Sequence, residues 1–234
     1  MFDFRGKAVL ISGGTSGIGR AIAHAFAELG AEVTAAGLPS EQGPLPSISE
    51  EILDITDNHA VEELLSRLPK LNVLVNAAGV IRRDEEFDLD VFSRVLDVNL
   101  TGAMRLCMAA HPRLVETQGC VVNIASMLSF FGGPRVPAYS ASKGGIVQLT
   151  RSLAVAWAAD HIRVNAVAPG WISTPLTQAL RNDEARSAQV VSRTPLGRWG
   201  RSDEVAGPVL FLSSEAASFI TGAILPVDGG YSAA

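Results

Sequence analysis

The sequence predicts an α/β fold in which helices cover both faces of a parallel sheet. Two observations support this prediction: short runs rich in β-branched residues recur along the chain, and amphipathic helical patterns lie between most of them. Strand, helix and strand repeated in this way imply right-handed crossovers. With 234 residues, 47% of them hydrophobic, the chain can bury a large core. We therefore expect one domain over residues 1–234, built on a doubly wound sheet of Rossmann type.

Seven apolar runs are nearly continuous, as expected of strands buried on both faces. In chain order they read KAVLISG, AEVTAAG, EEILDIT, LNVLVNA, GCVVNIAS, IRVNAVA and AILPVDG. The helical patterns cover residues 18–29, 58–68, 91–114, 141–159 and 203–212. One crossover differs, because residues 36–50 carry three prolines and no helical period. We expect a loop there, between the second and third of seven strands.

Charge and hydropathy exclude several classes of function. A net charge of −5 leaves no basic surface to attract nucleic acid or anionic lipid. The N-terminus lacks the pattern of a signal peptide, and the longest uncharged segment, 117–134, is too short and too polar to span a bilayer. Cys107 and Cys120 read as small buried residues, and the four histidines lack metal-ligand spacing. We expect a cytoplasmic protein with no metal, nucleic-acid partner or membrane contact.

A glycine-rich turn follows the first predicted strand. The segment SGGTSGIG, residues 12–19, ends that strand and opens the first helix. Glycines at such a turn let the backbone approach a pyrophosphate closely, and the helix N-terminus supplies unpaired N–H groups and positive potential. Taken alone, the segment is also compatible with a simple tight turn. Its position between strand and helix indicates a dinucleotide phosphate site.

The glycine spacing and several later motifs resemble the short-chain dehydrogenase/reductase family. The glycines follow G-x-x-x-G-x-G, NAAG ends the fourth strand, and YSASK places a tyrosine four residues before a lysine. The positions that match the family pattern are Gly13, Gly17, Gly19, Asn76, Gly79, Asn99, Ser126, Tyr139, Lys143, Pro169 and Gly170. Ser12 and Ala77 depart from the Thr and Asn that are frequent there. The resemblance covers essentially the whole chain and implies hydride transfer between a nicotinamide cofactor and a secondary alcohol or ketone.

Tyr139 and Lys143 are four residues apart in a predicted helix, which makes them neighbours on one face. A free tyrosine loses its proton at about pH 10, roughly three units too high for a base at neutral pH. A nearby ammonium favours the phenolate, so Lys143 is expected to make Tyr139 usable as a base. The same spacing without other motifs is typical of a solvated helix surface.

The resemblance implies a role for each residue around this pair. Tyr139 would take the hydroxyl proton during oxidation, and Ser126 would hold the same oxygen by a hydrogen bond. Asn99 would anchor a water that passes the proton toward Lys143, which would also bind the nicotinamide ribose. On its own, Ser126 could end a strand and Asn99 could be a buried amide. The cofactor-binding residues that the resemblance implies are Gly13, Thr15, Ser16, Gly17, Ile18, Gly19, Asp54, Ile55, Asn76, Ala77, Gly79, Tyr139, Lys143, Pro169, Gly170, Ile172 and Thr174.

The expected cofactor is NAD rather than NADP. In the family, an acid at the end of the second strand holds the adenosine ribose of NAD, while an arginine there accepts the phosphate of NADP. This chain has Gly37 and Leu38 at that point. No Lys or Arg lies between Arg20 and Arg67, and Glu41 is nearby. A phosphate in this position lacks an obvious cation, which favours NAD.

Three stretches resemble the branch of the family that acts on sugar acids: VIRRDEEF, NIASMLSFFGGPRVPAYSASK and RTPLGRWG. Arg135 lies between Ser126 and Tyr139 in the chain and is expected at the rim of the pocket. A guanidinium there can grip a carboxylate with two parallel hydrogen bonds. Arg82 and Arg83 are weaker candidates from the same side. The alternative is that Arg135 is a solvated or interface residue.

The resemblance also implies a lid and an assembly. Residues 174–199, helical around 176–191, are expected to fold over the substrate, with Thr174 on the nicotinamide amide. Relatives often form tetramers through two long helices, here 91–114 and 141–159, so a homotetramer is expected.

Two other functions fit the same fold. A reductase of 3-oxoacyl thioesters would favour a phosphorylated cofactor and a basic surface for its acidic carrier protein, and neither feature is clear in the sequence. A non-catalytic NAD-sensing module typically loses the tyrosine or the lysine of the pair, and this chain keeps both. The preferred prediction is an oxidoreductase that acts on a small sugar acid.

Overall fold

Seven strands form one parallel sheet in the computed structural model, which describes residues 2–40, 42–44 and 46–234. They are Ala8–Ser12 (β1), Glu32–Gly37 (β2), Ser49–Ile52 (β3), Val73–Asn76 (β4), Cys120–Ile124 (β5), Arg163–Pro169 (β6) and, last in the chain, Ile224–Val227 (β9). The short strands Ile172–Ser173 (β7) and Gly200–Arg201 (β8) form a separate pair. The order in the main sheet is β3-β2-β1-β4-β5-β6-β9, so the order reverses between β1 and β4, where ligands bind in sheets of this kind.

Helices cover both faces of the sheet, which confirms the predicted doubly wound architecture. Val9 and Ile11 of β1 pack with Phe26 on one face, whereas Leu10 packs with Leu106 on the other. This alternation follows from the period of two along a strand. The helices are Gly17–Glu28 (α1), Asn58–Arg67 (α2), Leu89–Leu96 (α3), Gly102–Thr117 (α4), Pro137–Ala156 (α5), Gln178–Arg181 (α6), Glu184–Arg193 (α7) and Ser202–Ser213 (α8).

The carboxyl ends of the central strands meet at one edge. Ser12 of β1 pairs with Asn76 of β4, which pairs with Asn123 of β5. The glycine-rich loop, the NAAG segment and Ser126 each follow one of these strands, so the parallel register brings all three to the same edge. The register therefore gathers the predicted site from distant parts of the chain.

The predicted helix over residues 91–114 is wrong in one detail. It consists of α3, a π-helical turn at Asp97–Thr101 and α4. A π turn inserts one extra residue into a helix, and a 3.6-residue period reads through such an insertion without marking it. The helix predicted from residue 141 begins at Pro137, because proline at the first helical position lacks only an N–H that would be unpaired anyway.

The loops show further differences from the predictions. The described residues between β2 and β3 contain no helix, as predicted. The third strand ends at Ile52, so Asp54 lies after it rather than within it. The helix predicted around 176–191 is divided into a 3₁₀ turn at Pro175–Thr177, then α6 and α7. The pairing of β7 with β8 was not predicted, because two-residue strands have no readable period.

Two predictions from composition can be compared with the structure. Cys107 in α4 and Cys120 in β5 are both buried and free, as predicted, and burial raises the pKa of each thiol. In the part of the chain that the structure describes, every helix is too short or too polar to cross a membrane.

Candidate active site

The loop between β1 and α1 brings backbone N–H groups to the carboxyl edge of the sheet. Ser16 precedes α1, and its side chain makes no capping hydrogen bond to the helix. A Cβ on Gly19 would lie 2.2 Å from the Gly13 carbonyl oxygen, and one on Gly13 would lie 2.6 Å from the Ala78 nitrogen. Glycine is therefore required at both positions. Among the described residues, the Gly17 nitrogen makes only a long hydrogen bond, to Gln42 Oε1 at 3.4 Å. A helix N-terminus without a capping bond from its N-cap side chain, behind such a tight loop, suits a pyrophosphate.

A cavity of about 700 Å³ borders this loop. It extends past the end of β2 and along the end of the NAAG segment toward Val98, and its volume lies within the range of small-ligand sites. The donor set and the cavity together fit a dinucleotide. The predicted cofactor residues in its lining are Gly13, Thr15, Ser16, Asp54, Ile55 and Gly79.

One end of the cavity combines a carboxylate with apolar side chains. The carboxylate of Asp54 accepts hydrogen bonds from the Thr56 nitrogen at 2.9 Å and hydroxyl at 2.8 Å, which hold the pKa of Asp54 below its usual range. Ile55 beside it is buried. The Thr15 hydroxyl donates to the Leu38 carbonyl at 2.9 Å and so ties the glycine loop to the segment after β2. This end of the cavity suits an adenine ring, whose amino group needs an acceptor.

Asn76 lies beside this cavity rather than in its lining. It is buried, and its Nδ2 donates to Asn123 Oδ1 at 2.9 Å and to the Cys107 sulfur at 3.3 Å. Asn123 in turn donates to the Thr150 hydroxyl at 2.9 Å. This buried polar chain ties β4 and β5 to α5, so Asn76 fixes the sheet edge.

The remaining predicted cofactor residues are outside the lining of the cavity. A Cβ on Gly17 would lie 3.6 Å from Thr174, so the segment after β7 begins directly over the glycine loop. A Cβ on Gly170 would lie 2.7 Å from Asp228, which makes this glycine necessary for packing. The other predicted residues that do not line the cavity are Ile18, Gly19, Ala77, Tyr139, Lys143, Pro169 and Ile172.

Asn99 lies in the π turn and is 1% exposed. Its Oδ1 accepts from the Val80 nitrogen at 2.7 Å, and its Nδ2 donates to the Val80 carbonyl at 2.9 Å and to the Ser142 hydroxyl at 3.1 Å. A Cβ on Gly79 would lie 3.4 Å from Asn99 Oδ1 and 3.7 Å from Lys143 Nζ. The NAAG segment, Asn99 and Lys143 therefore meet at one point, as the sequence predicts.

Ser126 follows β5, and a second serine that sequence reasoning missed supports it. The Ser126 nitrogen donates to Ser129 Oγ at 3.2 Å, and the Ser129 hydroxyl donates to the Lys143 carbonyl at 2.7 Å. Ser126 Oγ accepts from the Leu128 nitrogen at 3.1 Å. The S-x-x-S spacing is the signal of a capping box and could have identified Ser129. Ser129 thus fixes the distance between Ser126 and α5.

Tyr139 is half-buried and Lys143 is 5% exposed. Lys143 Nζ donates to the Ile124 carbonyl at 2.7 Å and lies 5.7 Å from the centre of the Tyr139 ring. Burial raises the pKa of Tyr139, and Ser126 and Arg83 oppose that rise. The net direction is opposite to the one expected from the sequence, because burial has the largest effect on the pKa of Tyr139.

Burial lowers the pKa of Lys143 from 10.5 to about 8, so this lysine weakens the fold at neutral pH. At a pH below the pKa of Lys143 in both the folded and the unfolded state, the lysine is charged in both states. The full desolvation penalty then destabilises the folded protein. At a pH between these two pKa values the unfolded chain binds more protons than the folded chain, so stability rises with pH. We expect Lys143→Met to raise the free energy of unfolding by about 2 kcal/mol at pH 7, with a gain that disappears near pH 10.

Thermal or denaturant unfolding of Lys143→Met at several pH values measures this effect. The matched control is Lys70→Met, because Lys70 is exposed and also donates to a backbone carbonyl, that of Gly6 at 3.1 Å. The control should change stability little at any pH. A Lys143→Met variant that is less stable than the parent at pH 7 would contradict the account.

The three candidate arginines occupy different environments. Arg135 forms a two-point ion pair with Asp84, with Nε 2.7 Å from Oδ1, so its guanidinium is already engaged. Arg82 is exposed and lines the cavity. Arg83 is partly buried, interacts electrostatically with Tyr139, and makes no side-chain hydrogen bond or ion pair with any described residue. Arg83, rather than Arg135, is therefore the free cation beside the tyrosine in this part of the chain.

The arrangement defines a class of protein. The cavity includes Gly79 in its lining, and a Cβ on Gly79 would lie 3.7 Å from Lys143 Nζ. A dinucleotide cavity next to a buried lysine, a tyrosine and a serine is the equipment of a nicotinamide-dependent oxidoreductase. Among the described residues, no group of three His, Cys, Asp or Glu side chains is placed to hold a metal ion.

Comparison with known proteins identifies the family of nicotinamide-dependent oxidoreductases to which the chain belongs. A family model described as Enoyl-(Acyl carrier protein) reductase matches residues 13–232. The 2-dehydro-3-deoxy-D-gluconate 5-dehydrogenase of Bacillus subtilis is 39% identical over 244 residues, which cover 98% of this chain and 96% of that protein. The chain belongs to the short-chain dehydrogenase/reductase family.

Two solved structures have the same fold. A proposed 2-deoxy-D-gluconate 3-dehydrogenase from Agrobacterium tumefaciens, with bound NADP, is 43% identical with a TM-score of 0.93, over 100% of this chain and 99% of that one. A proposed NAD(P)-dependent gluconate 5-dehydrogenase from Beutenbergia cavernae, with NADP at low occupancy, is 41% identical with a TM-score of 0.92, over 100% and 99%.

Proposed function

We propose that this protein interconverts a secondary alcohol and a ketone on a small sugar acid. The observation that carries the proposal is Arg83, a partly buried guanidinium without a protein partner among the described residues, beside Tyr139. Partial burial of an unpaired cation costs free energy that a ligand of opposite charge can offset, and a carboxylate matches the two-pronged geometry of a guanidinium. The sugar-acid activities in the names of the relatives agree with this choice of substrate class.

The proposed chemistry divides between the chain and its cofactor. A bound nicotinamide would supply or accept the hydride. Tyr139 would remove the proton from the substrate hydroxyl during oxidation and return it during reduction, while Ser126 would hold the same oxygen. Lys143, buried next to the tyrosine ring, would bind the ribose and stabilise the phenolate. Asn99 would hold the water through which the proton leaves toward Lys143.

The segment 174–199 is the proposed lid. Its α7 approaches the region of the substrate, because Arg186 of this helix interacts electrostatically with Arg83. Arg193 at its end lies over the ring of Phe131, with 5.5 Å between the guanidinium carbon and the ring centre. Phe131 belongs to the loop that connects Ser126 to Tyr139. A lid attached to this loop would close over both reacting side chains.

The cofactor is proposed to be either NAD or NADP. The predicted preference for NAD depends on the lack of a cation near the end of β2; Glu41, which was part of that argument, lies outside the described residues. Arg20 of α1 donates to the Gly43 carbonyl at 2.8 Å and to the Pro44 carbonyl at 3.2 Å. Its guanidinium therefore binds the loop between β2 and β3, next to Gln42 of the cavity lining, and we propose that it serves the phosphate of NADP. The NADP in two relatives agrees with this interpretation.

We expect Arg20→Gln to lower kcat/KM for NADP about tenfold and to leave the value for NAD within about twofold, because a charge-assisted hydrogen bond to a phosphate contributes roughly 1.5 kcal/mol or more. The matched control is Arg5→Gln, an exposed arginine that contacts Gly30 beyond the opposite end of α1. Steady-state rates with both cofactors measure the ratio. A loss shared equally by NAD and NADP would remove the selectivity role from Arg20.

Reduction of 3-oxoacyl thioesters is the second candidate, because the 3-oxoacyl-[acyl-carrier-protein] reductase of Thermotoga maritima is 36% identical over 96% of this chain. The net charge of −5 disfavours docking of an acidic carrier protein. A non-catalytic NAD-sensing role is disfavoured because Tyr139 and Lys143 are both in place. A panel of sugar acids, neutral polyols and 3-oxoacyl thioesters, assayed with both cofactors, tests the proposal. Turnover of thioesters without turnover of sugar acids would replace it with the second candidate.

A cytoplasmic homotetramer is the proposed assembly. Met108 and Val115 on α4 and Val155 on α5 are exposed apolar side chains, 53%, 38% and 81% exposed respectively. Exposed apolar residues on two long helices suit a contact between copies of the chain. The molecular mass in solution tests this arrangement.

A further inference from the structure

Glu86 is a buried carboxylate in an acidic loop. It lies in the 3₁₀ turn Glu85–Phe87, between β4 and α3, and it is 1% exposed. The adjacent acids Asp84, Glu85 and Asp88 are all exposed. A carboxylate is buried at large free-energy expense unless strong partners satisfy it. The partners of Glu86 therefore indicate what it does.

Both oxygens of Glu86 accept backbone hydrogen bonds, and they join two loops. Oε1 accepts from the Arg82 nitrogen at 2.8 Å, and Oε2 accepts from the Tyr139 nitrogen at 2.8 Å. Tyr139 is the third residue of α5, in the first turn, where N–H groups have no partner within the helix. Val136 at the N-cap position provides no side-chain cap. Glu86 thus caps α5 from another part of the chain, where the helix dipole favours negative charge.

We propose that Glu86 is a positioning residue that fixes the positions of Tyr139 and Arg83 relative to each other at the reaction site. Its two hydrogen bonds connect the first turn of α5, which carries the reacting phenol, with the loop that carries the free guanidinium. The Asp84 nitrogen also donates to the Arg135 carbonyl at 2.9 Å, so the two loops are joined at a second point on the surface. The inference rests on the proposed role of Tyr139 as acid and base.

The charge of Glu86 gives this positioning role a measurable signature. The groups that face the phenol are Ser126 and Arg83, which lower the pKa of Tyr139, Glu86, which raises it, and Lys143, 5.7 Å from the ring centre. Glu86→Gln keeps the shape but removes the charge. Its amide can accept only one of the two backbone N–H groups, because the other would face an NH₂ group.

We expect Glu86→Gln to move the ionisation of Tyr139 to lower pH, because the variant removes a negative charge that raises the pKa of the phenol. The kcat per folded active site should fall about tenfold, while KM for the cofactor stays within about threefold, because the phenol is displaced but the glycine loop is not. A purely structural role would lower the fraction of folded protein without moving the ionisation.

The absorbance of phenolate against pH measures the ionisation without any substrate. The sequence contains two tyrosines, so Tyr139 is the only one left in a Tyr231→Phe background. Circular dichroism across the same pH range establishes that the samples are folded. The matched control is Asp88→Asn, since Asp88 is an exposed carboxylate that also accepts two backbone hydrogen bonds, from Asp90 and Val91. It should leave the ionisation unchanged.

An unchanged midpoint in folded Glu86→Gln overturns the proposal. If this variant does not fold, Glu86→Asp replaces it: the shorter side chain cannot span both N–H groups, kcat should fall about tenfold, and turnover within about threefold of the parent overturns the proposal. The two proposals fail separately. A shifted midpoint in a protein that turns over no sugar acid would overturn the proposed function and leave the positioning of Tyr139 intact.

Discussion

Tyr139→Phe is expected to lower kcat by at least about a hundredfold, the usual contribution of a general acid or base. The phenol oxygen is the atom that we propose exchanges a proton with the substrate, and phenylalanine lacks it. The aromatic ring on α5 is kept in this variant, so the fold and the contact of the ring with Lys143 should be retained. Steady-state kinetics and cofactor titration by fluorescence separate the two effects.

The matched control for this variant is Tyr231→Phe, which removes the only other phenol of the sequence. Tyr231 is buried near the C-terminus, and its aromatic contacts with Phe131 and Trp171 do not need the hydroxyl group. It should retain turnover within about threefold. Turnover of Tyr139→Phe within threefold of the parent would remove Tyr139 from the mechanism.

Arg83→Met is expected to raise KM for a sugar acid by about tenfold to a hundredfold, and to leave KM for a neutral polyol nearly unchanged. This range corresponds to the ~1.5–3 kcal/mol of a charge-assisted hydrogen bond. Methionine keeps much of the apolar stem and removes the charge. Initial rates with a charged substrate and a neutral analogue, measured under the same conditions, give the two values.

Arg135→Met is the matched control, because sequence reasoning favoured Arg135 for the same role. Its guanidinium is held by Asp84, so its loss should affect charged and neutral substrates alike. If Arg135→Met raised KM for the sugar acid selectively and Arg83→Met did not, the carboxylate site would be assigned to Arg135 instead. If both variants changed KM equally for charged and neutral substrates, neither arginine would select the substrate class. The protein would then be described only as a carbonyl reductase.

The sheet and the glycine loop were predictable because their signals are local. Strands buried on both faces are continuous apolar runs, and spaced glycines between a strand and a helix are typical of a turn that binds phosphate. The Y-x-x-x-K spacing could be read in the same way, since a helix makes such residues neighbours. These features need no knowledge of which loops meet in space.

The rest of the site depends on contacts between distant segments. Glu86 reads as one of several solvated acids in RRDEEFDLD, and only the approach of α5 makes it a buried cap. The ion pair between Arg135 and Asp84 could not be read from the sequence, because the two residues are 51 positions apart. The π turn around Asn99 changes hydrogen bonding without changing the apolar period. Loop-to-loop contacts and helix irregularities therefore set the limit of sequence reasoning here.

Transfer of deuterium from cofactor to product tests whether this protein moves a hydride between a nicotinamide and a sugar-acid ketone. Reduced cofactor labelled at C4 of the nicotinamide, on either face, is incubated with 5-keto-D-gluconate as a probe of sugar-acid ketones, and the product is analysed by mass spectrometry and NMR. We expect one of the two labelled cofactors to place deuterium on the carbon that carries the new hydroxyl group. We also expect Tyr139→Phe to abolish this transfer nearly completely. Product without deuterium from either cofactor, or labelled product formed equally fast by Tyr139→Phe, would contradict these expectations.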